Sequence, residues 1–262
     1  MKPLTLHYRE YGDRNAPLMV FLHGGGVSSW MWEKQVQYFT DYHCVTIDLP
    51  EQGLSDRENK FSIASSSEKV GACIEKIADG KEVIVIGFSL GAQVLIDLLS
   101  KNSNLIDYAM INSALVKPMK WGRKMIAPTI RLSYPLVKNR YFSKLQAKTL
   151  YIADEYFERY FQESSQMKGE TLIRILNENM SFSIPDSFNQ AKANIIVTVG
   201  EKEKAVMQQS AIGLVNSNPN CTGVKITGIG HGIPLANPEL FHQIIENWMQ
   251  GREMPKECQS LN

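Results

Sequence analysis

The chain has 262 residues, which is enough for one large α/β domain or two small ones. It carries 28 Lys and Arg against 27 Asp and Glu, and the net charge of +1 predicts no general affinity for nucleic acid. Its cysteines have no C-x-x-C spacing, so neither a zinc site nor a redox pair is expected, and reduced thiols are the simplest interpretation.

The N-terminal segment predicts neither a signal peptide nor a membrane anchor. It passes from one lysine directly into an alternating polar pattern, without an apolar run of signal-peptide length. The longest uncharged apolar stretch is too short, and too often interrupted by Ser and Gly, to cross a bilayer. We therefore expect a cytoplasmic protein with no stable membrane insertion.

Apolar runs and helical patterns alternate along most of the chain. In chain order, the predicted strands are 4–11, 18–22, 44–47, 83–86, 105–111, 195–199 and 224–226. The predicted helices are 30–39, 63–78, 92–99, 205–215 and the segment after Pro238. This order predicts a mostly parallel sheet with helices on both faces, because parallel strands need crossover connections. The first strand alternates polar and apolar residues, as an antiparallel edge strand does.

A G-x-S-x-G motif, Gly87-Phe88-Ser89-Leu90-Gly91, lies between a strand and a helix. A serine on such a sharp turn has a strained backbone, and a β-carbon two residues away on either side would clash with the neighbouring chain. The turn is expected to raise the Ser89 hydroxyl above the sheet and to aim the Leu90 N–H at a bound carbonyl. The alternative is a glycine-rich turn with an incidental serine.

A second glycine-rich segment, His23-Gly24-Gly25-Gly26, follows the strand at 18–22. Without side chains, a backbone N–H of this loop can approach a substrate oxygen. We expect Gly25 and Leu90 to supply the two oxyanion donors. His23 is expected to shape the loop through a hydrogen bond.

His231 is the candidate general base, because it lies between two glycines on a loop before the last helix. Candidate acids to orient it follow the strand at 195–199, and they are Glu201 and Glu203. His242 falls outside the apolar stripe of the last helix. His7 and His43 lie in or beside strands, distant in sequence from any partner.

Three segments, LHGGGVSSW, IDLPEQGLSD and VIGFSLGA, occur in the order and at the separations found in the α/β-hydrolase superfamily, which most of the chain resembles. The resemblance implies an α/β-hydrolase core at 1–116 and 192–262, with an inserted helical cap at 117–191. It places the acid three residues after Gly200, at Glu203, with Glu201 as the alternative. Glu51-Gln52 stands where many relatives have Gly-His, in a loop that lies near the active-site mouth in the family.

The predicted cap has an uneven charge distribution. Residues 117–148 contain nine Lys and Arg and no acid, whereas four acids follow between 154 and 163. Two solvated helix faces that neutralise each other explain this pattern. A basic rim that attracts an anionic substrate or a membrane surface is the alternative.

We expect several residues around the serine to contact the substrate. They are Gly24, Gly26, Trp30, Trp121 and Met125. Met119 and Met180 are further candidates for an acyl pocket, although methionine also fills irregular gaps in a core.

These observations predict a serine hydrolase in which Ser89, His231 and Glu203 cleave a small-molecule ester or thioester of small to medium acyl size through an acyl-enzyme. The nucleophile belongs to the protein, so no metal or organic cofactor is implied. Carbon–carbon bond hydrolysis or cofactor-free perhydrolysis could use the same triad. A non-catalytic ligand-binding protein of this fold is a third option, and the composition leaves a homodimer open.

Overall fold

The structure is a computed structural model that describes residues 6–55 and 60–261. The strands are β1 Tyr8–Tyr11, β2 Leu18–Leu22, β3 His43–Ile47, β4 Val83–Phe88, β5 Tyr108–Asn112, β6 Asn194–Gly200, β7 Cys221–Ile226 and β8 Cys258–Ser260. The helices are α1 Glu33–Tyr38, α2 Ile63–Ala78, α3 Leu90–Lys101, α4 Lys120–Val137, α5 Arg140–Thr149, α6 Phe157–Gln166, α7 Gly169–Ser181, α8 Ala205–Ser217, α9 Ile233–Ala236 and α10 Pro238–Met249.

The strands form one sheet in the order β1-β3-β2-β4-β5-β6-β7-β8. The two edge strands are antiparallel to their neighbours, and the six inner strands are parallel. The mostly parallel sheet and the antiparallel β1 edge are therefore confirmed. The first predicted residues of that edge strand, and Asp56 at the end of IDLPEQGLSD, lie outside the described residues.

The prediction that β7 is the last strand is wrong, because β8 pairs with it at the far edge. This strand has three residues, two of them exposed. A segment so short and so polar lacks the apolar alternation from which a strand is predicted.

Strand β2 shows why the inner strands are apolar throughout, because all five of its residues are buried. Leu18, Val20 and Leu22 pack into the core on one face of the sheet. Met19 and Phe21 pack into the core on the other face. A strand covered by helices on both faces has no solvent-facing side, so its sequence is a continuous apolar run.

Helices cover both faces of the sheet. On one face, α2 and α3 contribute Val70 and Val94 to the core. On the other face, α1 and α10 contribute Val36 and Phe241. The alternating strands and helices of the sequence thus form the expected three layers.

His242 on α10 is buried, which corrects the expectation that it lies outside the buried stripe. Its ring stacks on Tyr38 of α1 at a centroid distance of 4.2 Å, and Phe39 meets it edge-on. Helix α1 therefore covers a flank of α10 that a single apolar stripe does not reveal. Burial lowers the pKa of His242 to about 4.

Helices α4 to α7 form an insertion between β5 and β6. Within it, the Tyr134 hydroxyl of α4 donates to the Met167 carbonyl, and the Tyr134 ring lies against Gly169 of α7. Arg174 of α7 forms a salt bridge with Glu51 of the β3 loop at 2.8 Å. Among the described residues, no helix is both long and apolar enough to span a membrane.

Replacing Phe241 by alanine should lower the free energy of unfolding by about 3–5 kcal/mol, because this ring is fully buried beside Trp32. The matched control is Gln243→Ala on the same helix, where the side chain is exposed and the expected change is within about 0.5 kcal/mol. Urea denaturation followed by circular dichroism measures both. Equal losses for the two variants would contradict the assignment of this α10 face to the core.

Candidate active site

Ser89 occupies a sharp turn between β4 and α3. Its φ of 53° and ψ of −110° lie in a region that non-glycine residues rarely adopt. Its N–H donates to the Asn112 carbonyl at the end of β5, at 2.8 Å, which anchors the turn to the sheet. A β-carbon at Gly87 would lie 2.8 Å from the Gly91 carbonyl, and one at Gly91 would clash with the Leu22 carbonyl. Both glycines are therefore required for the turn to form.

Three side chains form a hydrogen-bonded row at this edge of the sheet. His231 Nε2 lies 3.0 Å from Ser89 Oγ, and His231 Nδ1 lies 2.7 Å from Glu203 Oε2. Glu203 follows β6 and His231 follows β7, so parallel strands bring both to the carboxyl edge, where β4 ends. The imidazole can thus accept the serine proton while the carboxylate holds its other nitrogen.

Glu203 has an environment that keeps its carboxyl group ionised. Its side chain is 1% exposed, and its Oε1 accepts hydrogen bonds from Ser113 Oγ at 2.7 Å and from the Gly200 N–H at 2.8 Å. Burial by itself raises the pKa of Glu203. The hydrogen bond and charge of His231, together with these two donors, outweigh burial and lower that pKa below its ordinary value.

The structure separates the two candidate acids. Glu201 is exposed, and its carboxylate accepts the Gly228 N–H at 2.8 Å on the surface. Glu203 is buried and contacts His231. The structure also places the Ser113 hydroxyl on the Glu203 carboxylate, a contact that the sequence did not predict.

His23 is buried inside the glycine-rich loop. Its Nδ1 lies 2.7 Å from the Gly24 carbonyl, and its Nε2 accepts the Leu49 N–H at 2.9 Å. Burial outweighs the nearby negative charge of Asp48 and lowers the pKa of His23. A neutral imidazole therefore ties this loop to the β3 loop.

The remaining histidines have structural neighbours. His7 and His43, expected to lack partners, each lie 2.9 Å from a carboxylate, that of Asp48 and that of Glu10 respectively. Across residues 6–55 and 60–261, no group of three or more His, Cys, Asp or Glu side chains could hold a metal ion.

The N–H groups of Gly25 and Leu90 lie next to the serine. A β-carbon at Gly25 would lie 3.6 Å from the Leu90 side chain, so the two residues adjoin. The hydrogen bonds recorded for the described residues include no acceptor for either N–H. The N–H of Gly26, by contrast, donates to Gln52 Oε1 at 3.2 Å. Two donors beside Ser89 are therefore available to a ligand oxygen.

A cavity of about 80 Å³ opens beside the serine. Its walls come from the glycine-rich loop, the sharp turn at Ser89, the end of α5 and the His231 loop. The lining residues are Gly25, Val27, Phe88, Ser89, Thr149, Leu150, Tyr151, His231, Gly232 and Leu235. The residues at and after the end of α5 could not be predicted, because no pattern in the inserted segment marks which of its turns faces the core.

Tyr151 packs directly on the His231 loop. A β-carbon at Gly230 would lie 2.5 Å from the Tyr151 hydroxyl oxygen, and one at Gly232 would lie 2.8 Å from its ring. The two glycines around His231 therefore make room for Tyr151, whose own φ is 59°. This pairing of glycines is the one sequence signal that could have indicated a bulky residue above the histidine.

The structure brings some of the other expected substrate contacts to the serine. Gly24 borders it, since a β-carbon there would lie 3.5 Å from Ser89 Cβ. Gly26 instead lines a neighbouring cavity of about 190 Å³ together with Gln52. Trp30 lies apart from the serine cavity, stacked on Tyr156 with its ring N–H on Glu163.

The expectation that Trp121 and Met125 line the pocket is wrong. Their exposed fractions are 83% and 61%, and neither belongs to the cavity beside the serine. Helix α4 turns Ile126 inward and directs the side that carries these two residues to solvent.

Comparisons with known proteins identify the fold family of the chain. A sequence profile described as the alpha/beta hydrolase fold matches residues 17–168. The chain is 22% identical over 258 residues to (E)-2-((N-methylformamido)methylene)succinate hydrolase of Acinetobacter baylyi, with 94% of each chain covered.

Solved structures share the fold at low identity. The enol-lactonase from Burkholderia xenovorans LB400 has a TM-score of 0.78 at 15% identity, with 94% of this chain and 96% of that one covered. MenH from S. aureus has a TM-score of 0.74 at 19% identity, with coverages of 94% and 98%. The profile match spans more than half of the chain, and the chain therefore belongs to the α/β-hydrolase family and is a hydrolase.

Proposed function

We propose that the protein is a serine hydrolase that cleaves a carboxylic ester or thioester through an acyl-enzyme. The observation that carries this proposal is the row Ser89–His231–Glu203, in which both imidazole nitrogens lie within hydrogen-bonding distance of their partners. A relay of this kind activates a serine that is otherwise a weak nucleophile.

Acylation begins when Ser89 Oγ attacks the substrate carbonyl carbon and its proton passes to His231 Nε2. The carbonyl oxygen becomes an oxyanion, which the N–H groups of Gly25 and Leu90 stabilise. His231 then gives the proton to the leaving alcohol or thiol as the carbon–oxygen or carbon–sulfur bond breaks. Water, deprotonated by the same histidine, attacks the ester on Ser89 and releases the acid.

Glu203 supports both proton transfers by staying ionised. Its pKa is lowered, so the carboxylate faces the imidazolium that forms in each transition state. Its burial strengthens this attraction, because little water reaches the carboxylate.

The cavity favours a small acyl group. A volume of about 80 Å³ is small beside the roughly 300–1,000 Å³ that ligand pockets usually have. Val27, Leu150 and Leu235 give it apolar walls. This volume supports an acyl chain at the small end of the expected range.

We also propose that residues 117–191 act as a cap on a core formed by 1–116 and 192–262. Leu150 and Tyr151, which follow α5, close one side of the serine cavity. The Glu163 carboxylate of α6 accepts hydrogen bonds from Ser28 and Trp30 next to the glycine-rich loop. The insertion thus contacts the serine cavity and, separately, the segment that follows the glycine-rich loop.

Steady-state hydrolysis of p-nitrophenyl esters tests the proposed reaction. The acetate and butyrate esters should be cleaved. The octanoate should have a kcat/KM at least about tenfold lower than theirs, because its acyl chain is too long for the cavity. Ser89→Ala should lower kcat by roughly four to six orders of magnitude, and His231→Ala by a similar factor.

A matched control for the histidine is His242→Ala, which removes a buried imidazole outside the row. This variant should keep kcat within about threefold of wild type after correction for the folded fraction. Full activity in Ser89→Ala would contradict the proposed nucleophile.

Glu203→Gln should lower kcat by about three to four orders of magnitude, because the amide cannot stabilise an imidazolium. Glu201→Gln makes the same chemical change on an exposed residue two positions away and should leave kcat within about twofold. Kinetics on p-nitrophenyl acetate separate the two glutamates. Comparable losses in both variants would contradict the assignment of Glu203.

The lowered pKa of Glu203 also predicts that the stability of the protein depends on pH. The lowered pKa of Glu203 means that the folded chain binds fewer protons than the unfolded chain near this pKa. The stabilisation is complete above about pH 4.5, the ordinary value, and is lost as pH falls through the lowered folded-state value. Between about pH 6 and pH 3, wild type should therefore lose more free energy of unfolding than Glu203→Gln, as urea titrations would measure.

A further inference from the structure

Helix α4 presents an apolar stripe to solvent. Trp121, Met125, Leu132 and Leu136 are 83%, 61%, 84% and 47% exposed. At 3.6 residues per turn, these four positions fall within an arc of about 60° and extend along about 22 Å of helix. Four large apolar side chains in one line are more than the scattered exposure that a soluble surface normally shows.

Helix α5 also presents large apolar side chains to solvent. Tyr141 and Leu145, one helical turn apart on α5, are 88% and 62% exposed. Leu150 and Tyr151 follow that helix, and both are also partly exposed and line the cavity beside Ser89. Exposed apolar side chains therefore occur on α4, on α5 and at the mouth of the cavity beside Ser89.

Cations border this stripe. Residues 117–148 hold nine Lys and Arg and no acid. Lys120, Lys124 and Arg131 lie within about 100° of the stripe on one side of α4. The salt bridges recorded for the described residues include none from these three. Lys124 lies 5.2 Å from the centre of the Trp121 ring, so charge and apolar surface adjoin.

Acids from other elements neutralise part of α5 and leave α4 charged. Arg140 pairs with Glu158, and Lys144 lies 3.7 Å from Asp154. The expected neutralisation between two helix faces is therefore found at the junction of α5 and α6. It does not extend to the cations of α4.

We propose that the exposed face of α4 docks the enzyme peripherally on an anionic lipid bilayer. The apolar stripe would lie at the boundary between headgroups and acyl chains, and the flanking lysines and arginines would contact lipid phosphates and carboxylates. Charge complementarity favours this occupant over a second copy of the chain, since two such basic faces repel each other. The inference goes beyond the proposed reaction, because docking needs no turnover.

Trp121 provides a direct reporter of docking. The chain has four tryptophans, and those at positions 30, 32 and 248 are buried. Mixing the full chain with vesicles of phosphatidylcholine containing roughly one third phosphatidylserine should shift the emission of Trp121 to the blue. Brominated lipids should quench it. Vesicles of phosphatidylcholine alone should produce neither effect, and Trp121→Phe should remove the signal.

Two double variants test the two halves of the surface by vesicle co-sedimentation. Leu132→Glu with Leu136→Glu removes half of the stripe, and Lys124→Glu with Arg131→Glu reverses the charge beside it. Each should lower the partition coefficient about tenfold or more. The matched controls, Ile212→Glu on α8 and Arg252→Glu with Lys256→Glu near the C-terminus, change exposed residues elsewhere and should stay within about twofold.

Folding and the serine site are checked separately. Far-ultraviolet circular dichroism and labelling by a fluorophosphonate should be unchanged in both double variants. Absence of binding to anionic vesicles, or equal binding to neutral ones, would overturn the proposal. A stable dimer in sedimentation velocity that Leu132→Glu dissociates would assign the stripe to a homodimer instead.

Discussion

The backbone of Ser89 is the constraint around which the site is built. A positive φ at a residue with a side chain costs on the order of 1–3 kcal/mol, and the fold must hold it in place. It does so by burying β4 between β2 and β5, by fixing the Ser89 N–H on Asn112, and by placing glycines where any side chain would clash. The strained turn then sets the serine hydroxyl and the Leu90 N–H on the same side.

The site also requires a buried carboxylate beside His231 that stays ionised. Glu203 meets this requirement because three groups, His231, Ser113 and the Gly200 N–H, compensate for its removal from water. These partners come from the ends of β5, β6 and β7, so the parallel sheet itself assembles the environment. The insertion contributes in another way, since Tyr151 packs on the His231 loop and limits the cavity.

Much of the core could be predicted from sequence, because its determinants are local. Helix α2 is predicted at its observed bounds, 63–78. The sharp turn at Ser89 follows from the spacing of Gly87 and Gly91. The insertion could not be placed in the same way. Prolines at 128 and 135 lie inside α4, against their usual tendency, and tertiary contacts decide which side of that helix is covered. Trp121 and Met125 were therefore assigned to a pocket although they face solvent, while Leu150 and Tyr151 were missed.

The central claim is that the fold itself activates Ser89, whatever the substrate. Intact-mass analysis of the full chain after brief exposure to a fluorophosphonate tests it without a choice of ester. The account predicts one adduct on wild type, mapped to Ser89 by peptide analysis, and none on Ser89→Ala or His231→Ala. An unlabelled but folded wild type, or an adduct that persists in Ser89→Ala, would contradict it.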